Sequence, residues 1–116
     1  MAKNQVAYLE LPTQDVASLK QFYGSLFGWS HEDFGPDYAA VHGSGLEAGY
    51  NGGSDGRSRA PLAMIVTDHI EAMEGQVVAA GGKITVPTFA YPGGRRFHFT
   101  DPAGNELAVM QPDSRS

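Results

Sequence analysis

Four polar side chains carry the chemistry this sequence can offer: Glu10, Arg96, His98 and Glu106. Glu10 alternates with Tyr8 in the run Val6-Ala7-Tyr8-Leu9-Glu10-Leu11, so the two share one face of an extended strand. Further along, Arg96, His98 and Thr100 share a face by the same alternation, as do Glu106, Ala108 and Met110. An imidazole beside a carboxylate can take or give a proton near neutral pH. The same residues support a plainer arrangement, in which Glu10 pairs with Arg96 or His98 as a structural ion pair. Because no nucleophile, base and orienting group stand in sequence as a set, lining a cavity is the favoured role for His98.

The remaining histidines and aromatics weigh less. His42 and His69 read as surface or loop residues, and His69 opens a predicted helix, where a positive charge gains nothing from the dipole. His31 alternates on a short strand and carries no signal of its own. Phe22, Tyr23 and Phe27 recur at helical spacing and are expected in the core. Trp29 is expected where that helix meets its sheet, with ligand stacking as the second possibility. Tyr50, Phe89 and Tyr91 fall near predicted loops and can border a pocket. Tyr91-Pro92-Gly93-Gly94 is not a phosphate cradle, since no strand-to-helix transition follows, and it reads as a hinge-like loop.

These residues must be positioned by a chain that repeats its own plan. An apolar strand from Val6 to Leu11 leads to Asp15 and an amphipathic run ending at Gly28; Leu62 to Val66 leads to Asp68 and a second run ending at Gly81. The interval from Asp to Gly is 13 residues in both copies. Two β-α-β-type units of matching anatomy share one core, and a cleft between such units suits a small molecule. The first module is expected over about 5–50, a Gly- and Ser-rich linker over about 51–60, and the second module over about 61–112, all within one domain spanning 1–116.

Local signals mark the elements. Asp15 is a helix N-cap, with Gly28 as the stop. Asp68 with Glu71 matches a capping box for the second helix, which ends at Gly81-Gly82 and buries Ile70, Met73 and Val77 or Val78. Short strands are expected over Trp29 to Phe34, Tyr38 to His42 and Leu46 to Tyr50. A strand from Lys83 closes at Pro87. Arg96 to Thr100 and Glu106 to Met110 form a hairpin through the type I turn Asp101-Pro102-Ala103-Gly104. The tail after Pro112 is expected to fray.

Composition narrows the function classes. The 116 residues carry a formal net charge of -5, with basic pairs only at Arg57/Arg59 and Arg95-Arg96, which argues against nucleic acid as a partner. There is no Cys, hence no disulfide framework, thiolate nucleophile or thiolate metal site. No signal-peptide core or long apolar run is present, so neither export nor membrane insertion is expected, and cytoplasmic placement is the default.

The segments ELPTQD (10–15), FYGSLFGW (22–29), Gly81-Gly82-Lys83 and RFHFTDPAGN (96–105) together form a recognisable pattern. The chain resembles the vicinal oxygen chelate superfamily of glyoxalases, bleomycin-resistance proteins and extradiol dioxygenases, over roughly Val6 to Gln111. The resemblance implies an α+β fold of paired βαβββ modules, each a curled mixed sheet with one main helix, enclosing a cavity. It also implies, for the enzymes, a divalent metal held by His and Glu side chains from four strands, acting as a Lewis acid on two neighbouring substrate oxygens. Those ligand positions fall at Tyr8, near Pro61, at Ala108 and, within a residue or two, at Glu47. Ala and Pro side chains coordinate nothing and a neutral Tyr is a weak ligand, so no metal or other cofactor is expected.

The expectation is therefore a glyoxalase- or bleomycin-resistance-like protein with a small-molecule cavity lined by Tyr8, Glu10, Trp29, Glu47, Tyr91, Arg96, His98 and Glu106. The alternative is a metal-dependent lyase, isomerase or dioxygenase whose metal site is rearranged around Glu10, Glu47, His98 and Glu106. A purely structural or partner-binding domain is the third reading. The resemblance also implies a homodimer.

Overall fold

A computed structural model describes residues 3–53 and 57–113, so part of the expected linker and the last residues of the tail lie outside the described residues. The elements run β1 (Val6–Pro12), α1 (Val16–Phe27), β2 (Ser30–Asp33), β3 (Tyr38–His42), β4 (Glu47–Asn51), β5 (Leu62–Val66), α2 (Ile70–Ala79), β6 (Lys83–Tyr91), β7 (Gly94–Thr100) and β8 (Glu106–Pro112). This is the α+β mixture that the resemblance implies. The chain divides into two units within β1: residues 8–62 form one, and residues 63–113 with 3–7 the other. Among the described residues, no helix is long and apolar enough to cross a membrane.

In the N-terminal unit the strand order is β2-β3-β4-β1, with β1 parallel to β4 and the other neighbours antiparallel. The register sets Tyr8 beside Glu47, Glu10 beside Gly49, Tyr38 beside Asn51 and Ala40 beside Gly49, so these residues share one face. The opposite face carries Leu9, Leu11, Ala39, Val41, Ala48 and Tyr50. Val16, Leu19 and Tyr23 of α1 pack against it, together with Trp29. The α1 ends are as the sequence implies. The Asp15 carboxylate accepts from the Ser18 amide at 3.2 Å, and Gly28 adopts a left-handed φ of 76° while donating to the Gly24 carbonyl. One expectation fails: Phe22 and Phe27 are more than half exposed, as is Leu26. The apolar arc of α1 is wider than the sheet face it covers, and Tyr23 alone of the three expected aromatics reaches the core.

In the C-terminal unit the order is β5-β8-β7-β6, with β5 parallel to β8. Asn4 and Gln5 extend this unit by exchanging backbone bonds with Val66. Ile70, Met73 and Val77 of α2 pack on Phe97, Val109, Ile84 and Phe99, while Val78 is exposed. The Asp68–Glu71 capping box does not form. The N-cap is His69, whose side chain makes no cap bond. Both carboxylates go elsewhere, Asp68 to Lys3 at 3.1 Å and Glu71 to Arg95. The Ile70 amide is met instead by the side-chain oxygen of Gln111 at 2.9 Å, a partner 41 residues away.

The β6 strand also runs past Pro87, its expected end, to Tyr91. Pro87 lies inside a register shift between Val86 and Phe89, where a missing amide proton costs the ladder nothing. Glu74 of α2 fills the gap, accepting from the Thr88 amide and hydroxyl at 2.9 and 2.6 Å. The Tyr91-Pro92-Gly93-Gly94 segment is a tight hairpin, with Tyr91 paired to Gly94 and Gly93 at a φ of 108°, rather than a hinge-like loop. The Asp101 turn closes as expected, with the Gly104 amide donating to the Asp101 carbonyl at 2.9 Å.

Candidate functional site

Each unit leaves one sheet face uncovered by its helix, and Glu10 and Glu47 lie on one such face, Arg96, His98 and Glu106 on the other. In the N-terminal unit the face is organised around Glu10, which is 1% exposed. The Tyr38 hydroxyl donates to Glu10 Oε2 at 3.3 Å, and the hydroxyls of Tyr8 and Tyr38 are 2.5 Å apart. Asn51 donates from Nδ2 to Glu10 Oε1 at 3.1 Å while its Oδ1 accepts from the Gly53 amide at 2.9 Å. That second bond fixes which way the amide points. Burial, reinforced by the Glu10 carboxylate and then Tyr8, pushes the Tyr38 phenol far above the ordinary tyrosine range, so it stays protonated.

Gly49 makes this cluster possible. It sits beside Glu10 in the β1–β4 ladder and beside Ala40 in β3, and a methyl group on it would overlap both phenol oxygens. Sequence reasoning found Tyr8 and Glu10 but missed Tyr38, Asn51 and Gly49. Strand parity puts Tyr38 and Ala40 on one face, but it does not say which register brings that face beside Tyr8. Asn51 reads as linker in the sequence and is the last residue of β4.

In the C-terminal unit the face centres on Arg96, 5% exposed. Its guanidinium lies 5.4 Å from the Phe89 ring centroid and 5.5 Å from that of Tyr91, with Nη1 3.9 Å from Met64 Sδ. Such stacking suits a guanidinium, which is planar and weakly hydrated. His98, 1% exposed, has Nδ1 3.7 Å from Glu106 Oε2, and the same oxygen accepts from the Thr85 hydroxyl at 2.9 Å. The structure thus brings Tyr91, Arg96, His98 and Glu106 together and adds Phe89, Met64 and Thr85. Tyr8 and Glu10 belong to the other unit's face.

Two named residues stand apart. Glu47 is exposed at the start of β4, next to Tyr8 in register. Trp29 lies on the helix-covered side, stacked on Tyr23 at a centroid distance of 5.0 Å and near Phe27, so it does not share the face of Tyr8 and Glu10. His31, read as unremarkable, bonds the Tyr50 hydroxyl at 3.0 Å. Burial and then the Lys20 charge lower the His31 pKa, and burial pushes the Tyr50 phenol up to about 12.

The four positions that the resemblance assigns to a metal do not supply a matching donor set. The Tyr8 phenol is engaged with Tyr38, and Pro61 and Ala108 carry no donor atom. The residue beside Ala108 in the β5–β8 ladder is Met64, whose thioether is a soft ligand. Among the described residues, no group of three or more His, Cys, Asp or Glu is placed to hold a metal ion. This donor chemistry does not fit a hard divalent cation.

Residues 5–109 match the family model described as the glyoxalase/bleomycin resistance protein/dioxygenase superfamily. A mycobacterial protein provisionally named glyoxylase CFP32, from Mycobacterium bovis and Mycobacterium tuberculosis, is 30% identical over 115 residues, covering 90% of this chain. The chain spans 44% of that relative's length. A superfamily member from Vibrio splendidus 12B01 superposes with a TM-score of 0.68 at 16% identity, over 92% of this chain and 97% of the other. The Mn(II)-bound glyoxalase from Novosphingobium aromaticivorans gives 0.65 at 20% identity, over 98% of this chain and 42% of the other. These likenesses establish the fold.

Proposed function

Because the chain belongs to the glyoxalase/bleomycin resistance protein/dioxygenase superfamily, we propose that it binds a small organic molecule without a divalent metal. One observation carries this reading. Tyr8, where the resemblance puts the first metal-binding His, gives its hydroxyl to a 2.5 Å bond in a cluster that ends on Glu10. A phenol used this way is not offered as a metal ligand. Two surfaces are candidates, each within one unit: Tyr8 and Glu10 in the N-terminal unit, and Tyr91, Arg96, His98 and Glu106 in the C-terminal unit. Aromatic rings and a guanidinium there favour a planar, oxygen-bearing compound.

Thermal-shift measurements with 1,2-dicarbonyls, catechols, aromatic carboxylic acids and bleomycin test this directly. At least one compound is expected to raise Tm in a concentration-dependent way, equally with and without EDTA. Stabilisation that EDTA abolishes and Mn(II) or Zn(II) restores would overturn it in favour of a metal-dependent lyase, isomerase or dioxygenase. The same reading includes a homodimer, for which the exposed Phe22, Leu26 and Phe27 of α1 offer apolar surface of the kind subunits cover. Sedimentation at micromolar concentration should give a dimer, and a monomer would contradict that part.

A further inference from the structure

Asn51-Gly52 is the single Asn-Gly pair in the sequence, and local structure explains both residues. From the end of β4, Asn51 Nδ2 donates to Glu10 Oε1 at 3.1 Å, a bond that an ionised aspartate could not give. Position 52 is crowded: a Cβ there would lie 3.0 Å from Val16 Cγ2 and 3.3 Å from the Asp37 carbonyl oxygen. Glycine fits without a shift. The fold thus asks for a pair with a chemical weakness. With no side chain on the following residue, a backbone nitrogen can reach the amide carbon of a labile asparagine. Yet every group this reaction would use is tied down. The Gly52 N–H donates to the Asp37 carbonyl at 2.7 Å, and the Asn51 carbonyl accepts from the Thr13 amide at 3.0 Å. Arg57 Nη1 donates to the Gly52 carbonyl at 3.3 Å and to the Thr13 carbonyl at 3.0 Å. On the side chain, Asn51 Oδ1 accepts from the Gly53 amide at 2.9 Å. Nitrogen and carbon are held in a strand end and its turn, away from the alignment that ring closure needs.

We propose that Asn51 is a self-modification site gated by opening of the end of β4. While the strand end stays closed the asparagine persists; once opened it converts to aspartate or isoaspartate, and the product cannot restore the closed arrangement. This inference is independent of the small-molecule reading. In the first step the Gly52 nitrogen bonds to Asn51 Cγ and gives up its proton. The Cγ–Nδ2 bond breaks, and Nδ2 leaves with that proton as ammonia. Water then adds to one of the two carbonyl carbons of the succinimide ring, and the ring C–N bond at that carbon breaks as nitrogen regains a proton. Opening at the backbone carbonyl leaves aspartate's longer-backbone isomer, isoaspartate; opening at Cγ leaves isoaspartate's counterpart with the normal chain only if the side-chain bond to nitrogen is the one cut, which is aspartate. No atom changes oxidation state. An ionised aspartate has no proton for Glu10 Oε1, irrespective of the other partners of Glu10. Isoaspartate adds a carbon to the backbone and shifts the strand register beyond it.

Peptide mapping by mass spectrometry tests this, on the full chain incubated in mildly alkaline buffer with and without denaturing urea. Where opening and closing are fast, conversion follows the open fraction, so the folded chain should convert at least about 100-fold more slowly than the unfolded one. Isoaspartate should appear beside aspartate, the mark of the ring. Arg57→Met removes the donor to the Gly52 and Thr13 carbonyls. It should speed conversion of the folded chain about tenfold, the worth of a bond from a charged donor, and leave the rate in urea unchanged. Arg57→Lys should fall between, with far-UV circular dichroism as the check on folding. Asn51→Asp, which mimics one product, should unfold at lower urea than the natural chain. Equal rates in folded and unfolded chain would overturn the gate, and that comparison needs no variant. An Asn51→Asp chain as stable as the natural one in the same buffer would overturn the one-way step.

Discussion

The two units have matching frames and fill their uncovered faces with opposite chemistry. Each has four strands with its first and last in sequence parallel, and one helix over the far side. The N-terminal face is built from oxygens: two phenols and a carboxylate in close hydrogen bonds over a glycine. The C-terminal face is built from a cation over two aromatic rings and a histidine beside a carboxylate. A shared backbone plan thus constrains where side chains point, while the chemistry at each position remains independent. Tyr8 stands beside Glu47 in the β1–β4 ladder and Met64 beside Ala108 in the β5–β8 ladder, and neither pair contains a histidine.

That contrast can be broken one side at a time. The largest effect is expected from Arg96→Ala, which removes two ring contacts and leaves a void in a buried site, for a loss of about 3 kcal/mol by chemical denaturation. Arg96→Lys should recover less than half of it, because an ammonium does not stack. Gly49→Ala should cost about 2 kcal/mol through overpacking against the ends of two side chains. Glu10→Gln keeps the shape but turns one of its two acceptors into a donor facing Tyr38 or Asn51, for about 1.5 kcal/mol.

The helix caps sharpen the comparison at smaller scale. Asp15→Ala should lower Tm by a few degrees, because α1 loses its cap, whereas His69→Ala at the start of α2 should leave Tm unchanged. The Asp15 effect should fade in acid. The Ser18 hydroxyl and amide hold the Asp15 pKa below its ordinary value, so the stabilisation is present above the unfolded pKa and disappears as pH falls through the lower folded one. His31 has the opposite consequence for its ion: its folded pKa is lowered, chiefly by burial, so the unfolded chain binds the extra proton more readily. Stability should therefore rise with pH through the mid-6 region, and His31→Gln should flatten that slope in a Tm–pH series.

Much of the frame was legible because it is written locally. Asp15, Gly28 and the Asp101 turn each act on residues within a few positions, so their types alone announce them. The failures share one cause, partners remote in sequence. Gln111 caps Ile70 and frees Asp68 and Glu71 for Lys3 and Arg95; Glu74 lets β6 continue through Pro87. At the candidate site, parity placed Tyr8 with Glu10 and Arg96 with His98. Tyr38 and Asn51 depend on the β3–β4–β1 register, which no local pattern specifies. Phe22, Leu26 and Phe27 show the converse, helical spacing without enough sheet to cover every apolar residue.

The central claim is that ligand binding here needs no divalent ion, and elemental analysis of protein purified without chelators tests it most directly. The account predicts zinc, nickel, manganese and iron each far below one equivalent per chain, with ligand-induced stabilisation intact. One equivalent of any of them, retained through dialysis and required for that stabilisation, would contradict it.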